Sequence, residues 1–225
     1  MKVSPTGSVL ISSYPRSGNH MLRAVLEYAT RRPTLGCPET NNDPPIFERE
    51  PNRNEKLISI ESDLPVGLMM HSLRDFALWE RQGPEFVRQM LLITRDPVEA
   101  ISSHLLRAFR KKWFVSDKSL RRAVAGELSF YLESVVLFRS YDDQNRFRVS
   151  FEKLKGPDNT RYVNEILREI GIDASLSEEE LRRVLRLSKD SQKSLKPVQQ
   201  NLQNKVKKEV ARMVSSEQIE RLLGN

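Results

Sequence analysis

Two kinds of apolar run alternate along the chain. Short continuous blocks occur at 8–13, 57–60, 66–70, 90–95 and 147–151. Between them lie longer stretches in which apolar residues return every three or four positions, at 18–30, 97–112, 118–141, 158–171, 177–188 and 205–223. The short blocks predict strands, and those at 8–13 and 90–95 have the unbroken apolar character of buried parallel strands. The longer stretches predict amphipathic helices. In 118–141, Leu120, Val124, Leu128, Tyr131, Val135 and Phe138 form one stripe. Ser177 and Glu180 spell a capping box with Leu176 and Leu181 as its staple; Ser215 and Gln218 repeat it with Val214 and Ile219, which breaks the last helix near Ser215. Strands alternating with helices predict an α/β fold, a three-layer sandwich around a mainly parallel sheet with a helical C-terminus. Ligands of such sheets bind beyond the C-terminal ends of the strands.

Residues 31–56 break the rhythm. Pro33, Pro38, Pro44, Pro45 and Pro51 fall among Asn, Asp, Glu and Arg, which predicts a long loop. It reads either as a plain insertion or as a lid lining an acceptor pocket. There is no internal repeat, and 225 residues with 38% apolar content suit one domain spanning 1–225. Charge adds a hint: 37 Lys and Arg against 30 Asp and Glu leave +7, which suits solubility and also an anionic ligand or acidic acceptor. Basic residues cluster at Arg107, Arg110, Lys111, Lys112, Lys118, Arg121 and Arg122, and at Lys205, Lys207 and Lys208. Aromatic residues are not interleaved with them, which argues against nucleic acid. Cys37 is the only cysteine, so no internal disulfide forms and a reducing compartment is expected. The sequence has neither an apolar run of about 18 residues nor a secretion-signal profile. A cytoplasmic protein is the expectation.

The chemistry concentrates where the first apolar block ends. Tyr14-Pro15-Arg16-Ser17-Gly18-Asn19-His20-Met21 turns from a strand into a helix through a Pro/Gly corner. That turn aims the first helical N–H groups and the positive end of the helix dipole at one point, where an anion would sit. Arg16 adds a fixed charge, and Ser17 and Asn19 add short polar groups. A triphosphate P-loop would carry Lys-Ser/Thr after its last glycine, and this chain does not. A cysteine-phosphatase loop is excluded, because Asp43 stands six residues after Cys37.

Three further segments follow in order. Leu91 to Thr94 leads into Arg95-Asp96-Pro97, with Asp96 placed to cap a helix, Glu99 to close the cap, and Ser103 eight residues after Arg95. Val66 to Met70 ends at His71, the residue type whose ordinary pKa suits proton abstraction near neutrality. Val149-Ser150-Phe151-Glu152-Lys153-Leu154 closes the series.

Together these segments resemble the sulfotransferases that use 3′-phosphoadenosine 5′-phosphosulfate (PAPS). Their 5′-phosphosulfate loop reads Y-P-[KR]-S-G-[TN]-[TS]-W, and their 3′-phosphate site is R-[DN]-P with a Ser eight residues after the Arg. The resemblance covers about residues 8–157. It implies a P-loop nucleotide-binding-like fold and PAPS as co-substrate, without metal. Arg16, Ser17, Gly18, Asn19, His20 and Met21 then hold the 5′ side of the nucleotide, and Arg95 and Ser103 the 3′-phosphate. Phe151 stands where the family has a tyrosine, and His71 is general base for the acceptor hydroxyl or amine. Arg16 also stabilises the leaving phosphate. The chain departs from the family at His20 and Met21, at Met69 in place of a lysine, and in lacking the C-terminal R-K-G-x-x-G string. Lys193 or Lys196 is a candidate substitute for that string. Trp113 and Phe114 either line the acceptor pocket or pack in the core. A small-molecule or carbohydrate acceptor is the expectation. Two other readings stand beside this one: a P-loop small-molecule kinase and a non-catalytic nucleotide-binding relative.

Overall fold

A computed structural model describes residues 8–36, 45–46, 60–81, 87–109, 115–187 and 197–223. Among the described residues, five strands form one parallel sheet: β1 (Ser8–Ser13), β2 (Thr34–Gly36), β3 (Gly67–Met70), β4 (Val87–Thr94) and β5 (Arg146–Ser150), in the spatial order β2-β3-β1-β4-β5. The helices are α1 (Asn19–Thr30), α2 (Leu73–Arg81), α3 (Pro97–Ala108), α4 (Asp117–Ser140), α5 (Phe151–Lys155), α6 (Asn159–Glu169), α7 (Glu178–Leu187), α8 (Pro197–Met213) and α9 (Ser216–Leu223).

The strand alternation divides the core in two. Leu10, Leu68, Met70, Met90 and Leu92 face α2, α3, α4, α8 and α9, while Val9, Ile11, Leu91, Ile93 and Val149 face α1, α6 and α7. This is the expected three-layer α/β sandwich. β1 connects through α1 on one face, and β4 continues through α3 and α4 on the other, so the order reverses between β1 and β4. A crevice opens beyond the C-terminal ends of strands at such a reversal.

Both predicted capping boxes form. Ser177 N–H donates to Glu180 Oε2 at 2.8 Å, and Ser215 N–H donates to Gln218 Oε1 at 2.8 Å. Other local expectations change. Thr34–Gly36, inside the stretch expected as loop, pairs parallel with β3. Three residues after a proline are too few to show a period. β4 starts at Val87 because a register shift between Ser8 and Val9 lets pairing continue past the polar Arg88 and Gln89. Helix α2 was not expected, yet Ser72 and Asp75 cap it reciprocally: Ser72 N–H donates to Asp75 Oδ2 at 3.1 Å, and Asp75 N–H to Ser72 Oγ at 3.2 Å. Helix α3 ends at Ala108, and α8 begins at Pro197, eight residues before the expected start. The run 57–59, Cys37, Arg110 to Phe114, Lys193 and Lys196 lie outside the described residues.

Among the described residues, no helix is long and apolar enough to cross a membrane.

Candidate functional site

The loop between β1 and α1 is anchored from below by Tyr14. Its ring is buried and packs against His104, Phe130 and Tyr131, and its hydroxyl donates to Glu127 Oε2 at 2.6 Å. From this anchor the chain passes through two left-handed residues, Arg16 at φ 69° and Gly18 at φ 93°. For arginine that conformation is strained. It is held from outside: Arg95 Nη1 donates to the Arg16 carbonyl at 2.8 Å, and Arg16 Nε donates to Ser103 Oγ at 3.5 Å. Gly18 is required twice over, since a Cβ there would also meet Phe151 Cδ2 at 2.5 Å.

Four strand ends therefore supply one site. The loop after β1 brings Arg16 to Asn19, β3 ends at His71, β4 at Arg95, and β5 at Phe151. The Arg95 guanidinium stacks on the Phe151 ring at 4.7 Å, Lys155 lies 5.1 Å from the same ring, and Tyr131 donates its hydroxyl to the Arg95 carbonyl at 2.7 Å. Helix α1 opens without a side-chain cap and without an acidic residue in its first turn. Ser17 is fully buried, and its Oγ has no hydrogen-bond partner; the Ser102 Oγ shares that state. A buried, unpartnered hydroxyl beside an uncapped helix start and two arginines suits an anionic ligand.

His71 is positioned through its backbone and its ring. Its N–H donates to Asp75 Oδ2 at 2.7 Å, and Nδ1 lies 2.6 Å from the Ser13 carbonyl. A carbonyl only accepts, so Nδ1 carries the proton and Nε2 holds the lone pair. Burial pushes the His71 pKa down, against the opposing pull of the Ser13 bond and Asp75. Nε2 faces Asn19 Nδ2 at 3.3 Å. His71 is thus a neutral base in contact with the first residue of α1.

The other sequence candidates are less central. His20 is half-buried on the first turn of α1, and Met21 packs against the core beneath it. Ser103 Oγ accepts from Arg16 Nε, which sets it on the same wall as the loop. Phe151 was expected on the strand and is the first residue of α5, capped by the Ser150 hydroxyl. Asp96 caps α3 as expected, accepting from Glu99 N–H at 2.9 Å, but Glu99 does not close the cap. The Asp96 N–H donates to Glu152 Oε1 at 3.1 Å, and Glu99 turns to Lys207.

Two features escaped the sequence reading. Arg23, Glu27 and Thr34 are fully buried together beside Met69: Arg23 donates to Thr34 Oγ1 at 2.7 Å and to its carbonyl at 3.0 Å, while Glu27 accepts from the Thr34 hydroxyl and from the Thr34 and Ile46 N–H groups. The signal was available, since Arg23 and Glu27 sit four apart inside the apolar stripe of α1. The second is Glu127, which accepts from Tyr14 and lies 3.7 Å from His104 Nε2.

No protein-family model and no curated protein matches the chain. Solved structures do. A mouse sulfotransferase, SULT7A1, complexed with PAP aligns over 99% of this chain and 89% of its own, at 15% identity and a TM-score of 0.55. The sulfotransferase STF9 from Mycobacterium avium aligns over 97% of this chain and 76% of its own, at 13% identity and a TM-score of 0.51. The chain has the fold of these sulfotransferases.

Proposed function

We propose that this protein, as one domain, is a PAPS-dependent sulfotransferase acting on a hydroxyl or amine of a small-molecule or carbohydrate acceptor. The observation that carries the reading is the convergence at the β1–β4 crevice: Arg95 and Phe151 close on the Arg16–Gly18 loop, beside a buried Ser17 hydroxyl without a partner. A cradle of that composition fits a nucleotide with phosphates at both ends. The mouse structure with this fold was crystallised with PAP.

PAPS supplies the activated sulfuryl group. Arg16, Ser17, Gly18, Asn19 and His20, at the start of α1, hold the 5′-phosphate and offset the charge that grows on it as its bond to sulfur breaks. Arg95 binds the 3′-phosphate, with Ser103 at the same wall, and the Phe151 ring and Met21 border the nucleoside. His71 Nε2 takes the acceptor proton as the acceptor oxygen or nitrogen bonds to sulfur. For that, the Asn19 amide must yield the lone pair it faces. A non-catalytic relative would keep the cradle and leave Asn19 on His71. Arginine charge serves here where a kinase recruits magnesium, and the loop has no lysine for a triphosphate.

Thermal shift with a nucleotide panel tests the proposal. Adenosine 3′,5′-bisphosphate at 100 times its dissociation constant should stabilise the protein by about 2.7 kcal/mol, and adenosine diphosphate far less. Stabilisation by Mg-ATP alone would favour the kinase. Sulfated product from a pooled acceptor library separates an enzyme from a binding relative.

A further inference from the structure

Helix α3 presents Glu99 and Ser103 four positions apart, hence along one face, and Arg95 stands just before its N-cap Asp96. Arg16 reaches Ser103 at one end of that stripe. At the other, Lys207 of α8 donates from Nζ to Glu99 Oε1 at 2.5 Å, while Glu99 Oε2 lies 3.9 Å from Arg95 Nη2. One carboxylate is thus shared between two cations, one from the end of β4 and one from α8. The packing of Ile101 and Leu105 with Val206 and Val210 in one cluster fixes α8 against α3 and so brings Lys207 within reach of Glu99.

We infer that Lys207 and Arg95 form a two-cation clamp for the 3′-phosphate, and that Glu99 is a resident anion which the phosphate displaces. This rests on the nucleotide reading above. The physical grounds are comparative. The Glu99 side chain is 45% exposed and that of Lys207 34%, so the pair is partly solvated and weakly held. A phosphate monoester carries about −1.5 to −2 charge and three acceptor oxygens. It satisfies both cations at once, and Glu99 can rotate into water. Arginine keeps its charge throughout, and its planar fork accepts either anion. Lys207 then supplies what the chain lacks in place of a glycine-rich basic tail.

Titration calorimetry with adenosine 3′,5′-bisphosphate and adenosine 5′-phosphate tests this on the full chain. Lys207→Met should weaken the bisphosphate about tenfold, the order of one charge-assisted contact, and leave the monophosphate within about twofold. Lys207→Arg should retain most of the affinity. Glu99→Gln, which removes the competing charge, should tighten the bisphosphate selectively. If Lys207→Met weakens both ligands equally or neither, or if Glu99→Gln weakens the bisphosphate, the clamp is wrong while the nucleotide site stands. If Lys207→Met does not fold, Glu99→Gln alone decides. Wild-type protein that ignores the bisphosphate overturns the nucleotide reading and the clamp with it.

Discussion

Two arginine-centred regions flank β1 and differ in how their polar groups are met. Arg23 is fully buried with Glu27 and Thr34, and its guanidinium is engaged by a hydroxyl, a carbonyl and the Met69 sulfur. Its backbone is ordinary helix. Arg16 and Arg95 are only half-buried, Arg16 holds a strained backbone, and the buried Ser17 hydroxyl beside them has no partner. A buried charge must be met within the protein or it opposes folding. Groups left strained or unmet at a crevice are instead available to a ligand. That contrast supports Arg23 as scaffold and the proposed placing of Arg16 and Arg95 in the nucleotide site.

The largest effect should come from breaking the scaffold. Arg23→Ala leaves Glu27 in the interior without that neighbour and should cost about 3–5 kcal/mol in urea unfolding. Nucleotide affinity per folded molecule should be nearly unchanged; a selective loss of affinity would erase the contrast. Arg95→Ala should do the reverse. Bisphosphate affinity should fall by about 1.5–3 kcal/mol, the range for charged hydrogen bonds, and the lost hold on the Arg16 carbonyl should cost less stability than Arg23→Ala does. Gly18→Ala sharpens the role of the loop. It should lose about 1–2 kcal/mol of stability for the left-handed backbone alone, plus the clash with Phe151. Adding Phe151→Ala should recover the clash and not the backbone cost.

Acidity gives the smallest effect. Burial lowers the pKa of both His71 and His104, so the unfolded chain protonates first as pH falls. Their contribution is complete above the ordinary histidine pKa of about 6.5 and declines below it. Chemical denaturation between pH 7.5 and 5 should show this decline, shallower in His71→Gln. The acid limb of kcat/KM should likewise fall below that ordinary value, since the base remains neutral there. A limb above it would remove His71 from the proposed role.

Most of the frame was legible because it is local. Continuous apolar blocks found four of the strands, three- and four-residue spacing found α1, α3, α4, α6 and α7, and both capping boxes formed where Ser177 and Ser215 announced them. What escaped was short or chemically disguised. β2 is three residues long, α5 five, and the glutamines and asparagines of α8 obscure its Leu202, Val206 and Val210 stripe. Helix α2 has only the Ser72–Asp75 cap as its local signal, without a long apolar stripe behind it.

The order of residues by itself determined the strand-turn-helix at Tyr14–His20, the capped helix after Arg95 and the alternation that builds a parallel sandwich. Each depends on neighbours within a few positions, through backbone preference and side-chain period. Only the tertiary structure decided that Arg95 grips the Arg16 carbonyl, that Phe151 fills the space above Gly18, that Asn19 meets His71, and that Glu99 leaves its own cap for Lys207. Those pairings join residues 52 to 133 positions apart. Which of several chemically acceptable partners a side chain takes depends on how the layers stack, and no local pattern encodes that.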